Sequence, residues 1–259
     1  MNIAPTVVAQ FKALKLGRLL DTLEARLDQA RQGQLGYVEF LQLIFQDEIE
    51  RRRSQSLKLR LQRATFEEPK TLEEFDFAAR PQLNPTAIHD LACGGFIDKK
   101  EHVLLYGPAG TGKTHLAQAL GHHACRAGCS VFFIKAAKLF RDLHAARADN
   151  SWEQELRRFL SPDLLIIDDF GLKPMNFTQA EDFYEIVAER HLRGSIIVTS
   201  NRTPADWLPL FPDPVMANSA LDRLAHKAHH IVMKGDSYRA KTRPQSPVPF
   251  STFTGPTEE

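Results

Sequence analysis

Cysteine is scarce in this chain of 259 residues: Cys93, Cys125 and Cys129 are an odd, sparse set that excludes a disulfide framework. Cys125 and Cys129 stand one helical turn apart near His122 and His123. No second ligand pair has matching spacing, so helix packing reads better there than a metal site. Also missing are a signal peptide and any apolar run near the roughly 20 residues that a membrane span needs. The expected setting is a reducing cytoplasm with no membrane contact. No internal repeat is detectable. Net charge is nearly absent at +1, but the balance is not local. From Glu50 to Arg63, six basic residues (Arg51, Arg52, Arg53, Lys58, Arg60, Arg63) face one acid. That run reads either as a solvated helix face or as a nucleic-acid contact.

What is present is ordinary for a globular protein: 43% hydrophobic and 25% charged residues, with room for one sizeable domain and an appendage. The organising stretch is Val103–His115, an apolar run entering a glycine-rich turn and then an amphipathic helix with Leu116, Leu120 and Ala124 on one face. Gly107, Gly112, Lys113 and Thr114 meet the spacing G-x-x-x-x-G-K-[ST] of a phosphate-binding loop. Glycine lets backbone N–H groups close around phosphate oxygens, and the following helix N-terminus favours an anion. Lys113 is placed to reach the β- and γ-phosphates of ATP, and the Thr114 hydroxyl to ligate Mg²⁺.

Ahead of this loop, apolar residues from Val7 to Arg31 follow helical spacing, Gly33 to Gly36 interrupts them, and a second helical pattern runs from Tyr37 into the basic stretch. We expect a helical hairpin over residues 1–66 with little core of its own, so that its apolar stripe meets either the main domain or a partner chain, and we take it as a partner-binding domain. Residues 67–85, with Pro69, Pro81 and Pro85, read as a linker. There Phe75 and Phe77 either anchor the segment in the core, the simpler role, or flank an adenine ring.

Beyond the loop come a strand at Ser130–Ile134, helices at Ala136–Ala148 and Trp152–Leu160, and a strand at Pro162–Asp169 whose apolar run ends in two carboxylates. Paired acids at the C-terminal tip of a buried parallel strand face a ligand crevice. Asp168 is expected to hold Mg²⁺, and Asp169 to orient the attacking water. A helix at Thr178–Leu192, a strand at Gly194–Asn201, a helix at Ala217–Ala228 and a short strand at His229–Met233 complete the pattern. Asn201 reads either as a γ-phosphate contact or as a turn cap. Residues 86–240 thus form an α/β domain with a parallel sheet between helix layers, and the proline-containing residues 241–259 read as disordered.

The loop Leu104–His115, the acidic strand Leu164–Gly171, Ile196–Asn201, Ser219–Leu224 and Lys70–Phe77 together resemble the IstB family of transposition helper ATPases, within the AAA+ class. The resemblance covers nearly the whole chain to Arg239 and implies a five-stranded parallel sheet of order 5-1-4-3-2; the usual C-terminal helical lid is expected to be absent, since only about twenty residues follow Arg239. It implies that Gly107, Pro108, Ala109, Gly110, Thr111, Gly112, Lys113, Thr114 and His115 hold the nucleotide. Asn201 then corresponds to sensor 1, Arg223 to an arginine finger with a salt bridge to Asp222 or Asp236 as the plainer alternative, and Arg239 to a sensor-2-like arginine. The stretch between the second and third strands is implied to engage DNA, with Lys135, Lys138, Arg141 and Arg147 as its phosphate contacts. The expected function is an ATP-dependent, DNA-binding homo-oligomer that selects or remodels target DNA and recruits and activates a cognate transposase. A helicase loader of the DnaC type is the alternative, and a nucleotide-gated assembly factor a third. Asp169 stands where most AAA+ proteins carry Glu, one methylene longer.

Overall fold

The structure is a computed structural model that describes residues 3–235, 237 and 238, and its chain divides into two compact units that meet between Gln62 and Arg63. Arg239, the tail 241–259 and the question of a lid lie outside the described residues.

In the first unit the expected Val7–Arg31 helix is two helices, α1 (Pro5–Ala13) and α2 (Leu20–Gln32), separated by a 3-10 turn at Gly17–Leu19. Lys15 takes a left-handed φ of 57°, and the Leu16 N–H bonds back to the Phe11 carbonyl at 2.8 Å, closing α1. The sequence shows no glycine at that left-handed position, so apolar spacing alone read through it. After the turn at Gly33–Gly36, α3 (Tyr37–Ala64) runs 28 residues. Leu19, Leu23 and Ile44 form a small core with Phe11, Leu16, Leu27 and Phe40 around it. Arg26 forks onto both oxygens of Asp47 at 2.8 and 2.7 Å, tying α2 to α3.

The second unit enters through a strap, residues 65–84, that forms neither helix nor strand beyond turns. It is no loose tether, since Leu72, Phe75, Arg80 and Leu83 are buried. Helices α4 (Pro85–Ala92) and α5 (Gly95–Asp98) then lead to β1 (His102–Tyr106), and α6 (Lys113–Ala127) to β2 (Val131–Lys135). Next come α7 (Ala136–Ala148), α8 (Trp152–Leu160), β3 (Leu164–Phe170), α9 (Phe177–Arg190), β4 (Ser195–Ser200), α10 (Pro214–Ala225) and β5 (Ala228–Val232). The strands pair in parallel in the order β2-β3-β4-β1-β5, the implied order read from the other edge.

The inner strands are apolar through their middles because both faces are covered, with polar residues kept to their ends. Leu165 and Ile167 join the core beneath α7, α8, α9 and α10, while Ile166 faces α6 so closely that a Cβ on Gly121 would lie 2.8 Å from it. A 3-10 segment at Pro204–Leu210, not foreseen in the sequence, brings buried Trp207 into the same core, its indole N–H donating to Ser200 Oγ at 3.1 Å. Because β4 lies between β1 and β3, the turn after β1 opens beside the tips of β4 and β3.

Candidate functional site

Glycine is required where the β1–α6 turn meets other chain. Gly107 has φ 142° and a Cβ there would lie 1.9 Å from the Met233 carbonyl oxygen; at Gly110, φ 78°, it would lie 2.0 Å from Ser237 Oγ. The turn is therefore held from outside as well as by its own residues. Tyr238 N–H donates to the Gly110 carbonyl at 2.8 Å, and Gly107 N–H to the Ser200 carbonyl at 3.2 Å. Thr111 Oγ1 donates to the Pro108 carbonyl at 2.9 Å. The buried Lys113 ammonium curls back onto the Gly107 and Pro108 carbonyls at 2.8 and 2.7 Å. It is thus held inside the turn, where an anion seated over the loop would meet it.

Across from Lys113 lies the tip of β3. Asp168 is fully buried and accepts from Thr114 Oγ1 at 2.9 Å and from Thr199 Oγ1 at 2.6 Å. Burial lifts its carboxyl above the usual range, the Thr199 hydroxyl opposes this, and the neighbouring Asp169 charge raises it further. Thr199 Oγ1 also accepts the Asp169 N–H at 3.0 Å, so one hydroxyl on β4 orders both carboxylate residues. Asp169 adopts φ 56°, left-handed and rare for a non-glycine, where the β3–β4 register slips. The turn carries it off the strand's regular alternation to partial exposure.

A cleft of about 620 Å³ joins these parts, lined by Ala109 to His115, Asp168, Asp169 and Asn201, and walled by the strap through Glu67, Phe75 and Arg80. Arg80 donates to the Thr111 carbonyl at 3.0 Å, His115 Nε2 bonds the Thr71 carbonyl at 2.9 Å, and Phe75 sits edge-on to His115 with ring centroids 5.3 Å apart. His115 thus anchors the strap as well as lining the cleft. Gln118 Oε1 accepts the N–H groups of Glu67 and Glu68 at 3.1 and 3.2 Å. A nucleotide's requirements are met here: a backbone cradle with no room for Cβ atoms, a buried ammonium for phosphate charge, and a buried carboxylate with a hydroxyl of the kind that holds a hydrated divalent cation.

A family model described as IstB-like ATP binding protein matches residues 9–246. The chain belongs to this family. It is 46% identical over 241 residues to a Mycobacterium tuberculosis protein whose name places it in an insertion sequence and calls it ATP-binding, covering 93% of this chain and 96% of that one. A similarly named Pseudomonas aeruginosa protein is 38% identical over 235 residues, covering 91% and 89%. Among solved structures, AMPPCP-bound DnaA from Aquifex aeolicus superposes with a TM-score of 0.55 at 21% identity, over 66% of this chain and 52% of that one. The DnaC helicase loader gives 0.51 at 20%, over 57% and 87%. At these identities the likeness is one of fold, the AAA+ fold.

In this member of the IstB-like family the four basic residues expected on DNA part company. Lys135 ends β2 in register with Asp168, lines the cleft and pairs with Glu67 at 2.7 Å; its ammonium is held above the usual range first by that hydrogen bond and then, against desolvation, by nearby negative charge. Arg147 pairs with Asp182, whose side chain is buried, and lies over the Trp152 ring at 4.8 Å, a packing role. Lys138 pairs with Asp142 one turn away, and Arg141 is exposed. Spacing along the chain could not separate Lys135 and Arg147 from the other two, because their partners Glu67 and Asp182 are distant in sequence. In the basic run of α3, Arg51 and Arg52 both bind buried Glu48, whose carboxyl falls to about 2 under the Arg51 hydrogen bond, with Arg52 adding to it. Arg223 donates to the Ser219 carbonyl at 2.8 Å and lies over the Tyr184 ring at 5.5 Å; it does not line the cleft of its own chain. Thr199, Arg80 and Glu67 were not foreseen as site residues. A hydroxyl one strand from an acidic tip is the only signal the sequence offered for the first.

Proposed function

We propose that this protein is the ATP-hydrolysing helper of an insertion-sequence transposase. In this reading it assembles on DNA as a homo-oligomer in its ATP state, selects or remodels target DNA, and recruits and activates its cognate transposase. The observation that carries the reading is the Lys113 cradle facing the Thr114–Asp168–Thr199 hydrogen-bond chain, in a family member whose relatives are named for insertion sequences and ATP binding. Those names favour transposition over helicase loading, for which only fold likeness speaks.

The chain's residues divide the work. The loop's N–H groups and Lys113 bind phosphate charge, and Thr114 and Asp168 would hold Mg²⁺, which when bound offsets phosphate charge. Asp169, turned out of the strand, accepts a hydrogen bond from water and orients it; Asn201 lines the same cleft and contacts the γ-phosphate or its water. Phe75 and Arg80 wall the side where a base would lie. DNA is held by phosphate contacts, for which Arg141 in the second unit and, separately, Arg53 and Lys58 of α3 are exposed cations.

Two experiments test this. Lys113→Ala should lower ATP affinity at least about a hundredfold by titration, since it removes the buried cation that phosphate meets. Equal affinity would reject the site. ATP-loaded protein on duplexes of unrelated sequence should lose affinity steeply with salt; a flat response would reject phosphate-led binding, and a strong preference for single strands would favour the loader reading.

A further inference from the structure

The strap meets the phosphate-binding turn at two successive residues, Thr111 and Gly112. Arg80 is buried, and its Nε–H donates to the Thr111 carbonyl at 3.0 Å while Nη1 donates to the Ala79 carbonyl at 3.1 Å. The chain after β5 closes over the guanidinium, since a Cβ on Gly235 would lie 3.1 Å from Nη1. Phe75 lies against the next residue of the turn, where a Cβ on Gly112 would be 3.2 Å from its ring. The Thr111 carbonyl and the Gly112 N–H belong to one peptide unit. No peptide bond among the described residues is cis, so that unit is planar with its C=O and N–H directed oppositely. Holding the carbonyl on Arg80 therefore sets where the Gly112 N–H points. The peptide before it is held in the same way, because the Tyr238 N–H takes the Gly110 carbonyl at 2.8 Å and so sets the Thr111 N–H. Neither the Thr111 nor the Gly112 N–H has a hydrogen-bond partner among the described residues, although Thr111 is buried. A buried donor left open is costly unless a ligand takes it.

We propose that Arg80 is a positioning residue for phosphate: from the strap it turns the Thr111–Gly112 peptide so that the Gly112 N–H faces the β-phosphate of a bound nucleotide. Gly112, at φ 96°, offers little steric resistance to rotation of that peptide, and Arg80 with Phe75 removes the freedom before the ligand arrives. Orientation fixed in advance lowers the entropy lost on binding. Arg80 acts through its Nε–H and not through its charge, so the strap is part of the phosphate site as well as its wall. This inference rests on the nucleotide reading above.

The test uses the full chain and two replacements of equal reach. Arg80→Met puts a methyl where Nε stands and removes both donor and charge; Arg80→Gln puts an amide N–H₂ there and removes the charge alone. Arg80→Met should weaken ATP and ADP binding about tenfold and raise KM likewise, with kcat within about threefold, because the loop contact is made before and during the reaction alike. Arg80→Gln should recover most of that loss. Inorganic triphosphate, which has no base, should lose affinity in Arg80→Met as ATP does. In ¹⁵N-glycine-labelled protein, ADP should move the Gly112 amide proton downfield in the wild type and in Arg80→Gln, and much less in Arg80→Met; the Gly121 and Gly194 amides, away from the turn, report whether the variant is folded. Equal losses in the Gln and Met variants would make the charge the active feature and overturn the proposal. Undiminished triphosphate binding in Arg80→Met would assign Arg80 to the base, and a Gly112 amide that responds to ADP equally in all three proteins would remove the link to the peptide; either result overturns it. A wild-type protein that binds neither ATP nor triphosphate would instead defeat the nucleotide reading itself.

Discussion

Thr199 shows how much one hydroxyl carries. It donates to Asp168 and accepts from the Asp169 backbone, so Thr199→Val removes both bonds at nearly constant volume. Turnover should fall about 10- to 100-fold, the usual cost of losing a residue that orients a metal-holding carboxylate. ATP affinity without Mg²⁺ should hold; if it fell as far, Thr199 would be shaping the loop instead of the acids. His102 makes a second prediction at this scale. It is buried, accepts the Ile196 N–H at 3.1 Å, and is pushed down to about 4 by burial, with the Arg190 charge adding. A histidine with a depressed folded pKa contributes stability that is fully present above its unfolded value near 6.5. That stability is lost as pH falls through 6.5 towards 4, because the unfolded chain takes the proton first. Denaturant melts should show that loss, roughly 3 kcal/mol if His102 acts alone, and His102→Gln should flatten the slope in that window. An unchanged slope would place the acid sensitivity elsewhere.

Among the elements, α3 is the most exposed to test. Tyr37, Leu41, Phe45 and Ile49 recur every four residues along it and all are exposed, while Phe40 and Ile44 turn to the unit's small core. If this unit binds the transposase, replacing Leu41, Phe45 and Ile49 with Ser should cut capture of the transposase by about tenfold or more while ATP turnover stays within about twofold. Capture at the wild-type level would move the partner site off this face. Helical period made α3, α7 and α8 legible, and buried apolar runs made the strands so. The α1–α2 break escaped because Lys15 does with a side chain what glycine usually does. The strap escaped for a different reason: its proline-containing, aperiodic sequence is what a linker has. Only the folded chain reveals that Arg80 and Phe75 are spent on the phosphate-binding turn.

For the whole molecule, the parallel sheet between helix layers followed from alternation, the pairing of loop and acidic tip from motif, and the strand order from the family resemblance alone. Long-range polar partners did not. Buried Arg190 donates to five carbonyls, those of Phe159, Leu160, Pro162, Asp163 and Ser195, and nothing local in its helix announces it. Arg223 belongs to the same scale, since it lies outside the cleft of its own chain and is offered at the end of α10. If it acts on ATP held by a neighbouring subunit, an arginine so placed is worth ~10³ to 10⁵ in rate. Mixing Arg223→Ala with Asp169→Asn should then restore hydrolysis that neither variant shows alone, because one supplies the arginine and the other the intact acids. No rescue at any ratio in co-assembled subunits would confine the arginine to its own chain or to packing.

Strand β1 pairs with β4 and β5, and the turn after it is shaped by the Met233 carbonyl. During synthesis, then, the nucleotide-binding turn is made early and completed late. With β4 beginning at Ser195, translation at about 5–20 residues per second leaves β1 without either neighbour for roughly 5 to 20 s after Tyr106 is made. The nascent protein should be blind to ATP until β5 and Met233 have left the ribosome, so a stalled or truncated chain ending before β5 would not be a weak ATPase but a nucleotide-free fragment with one edge of β1 unpaired.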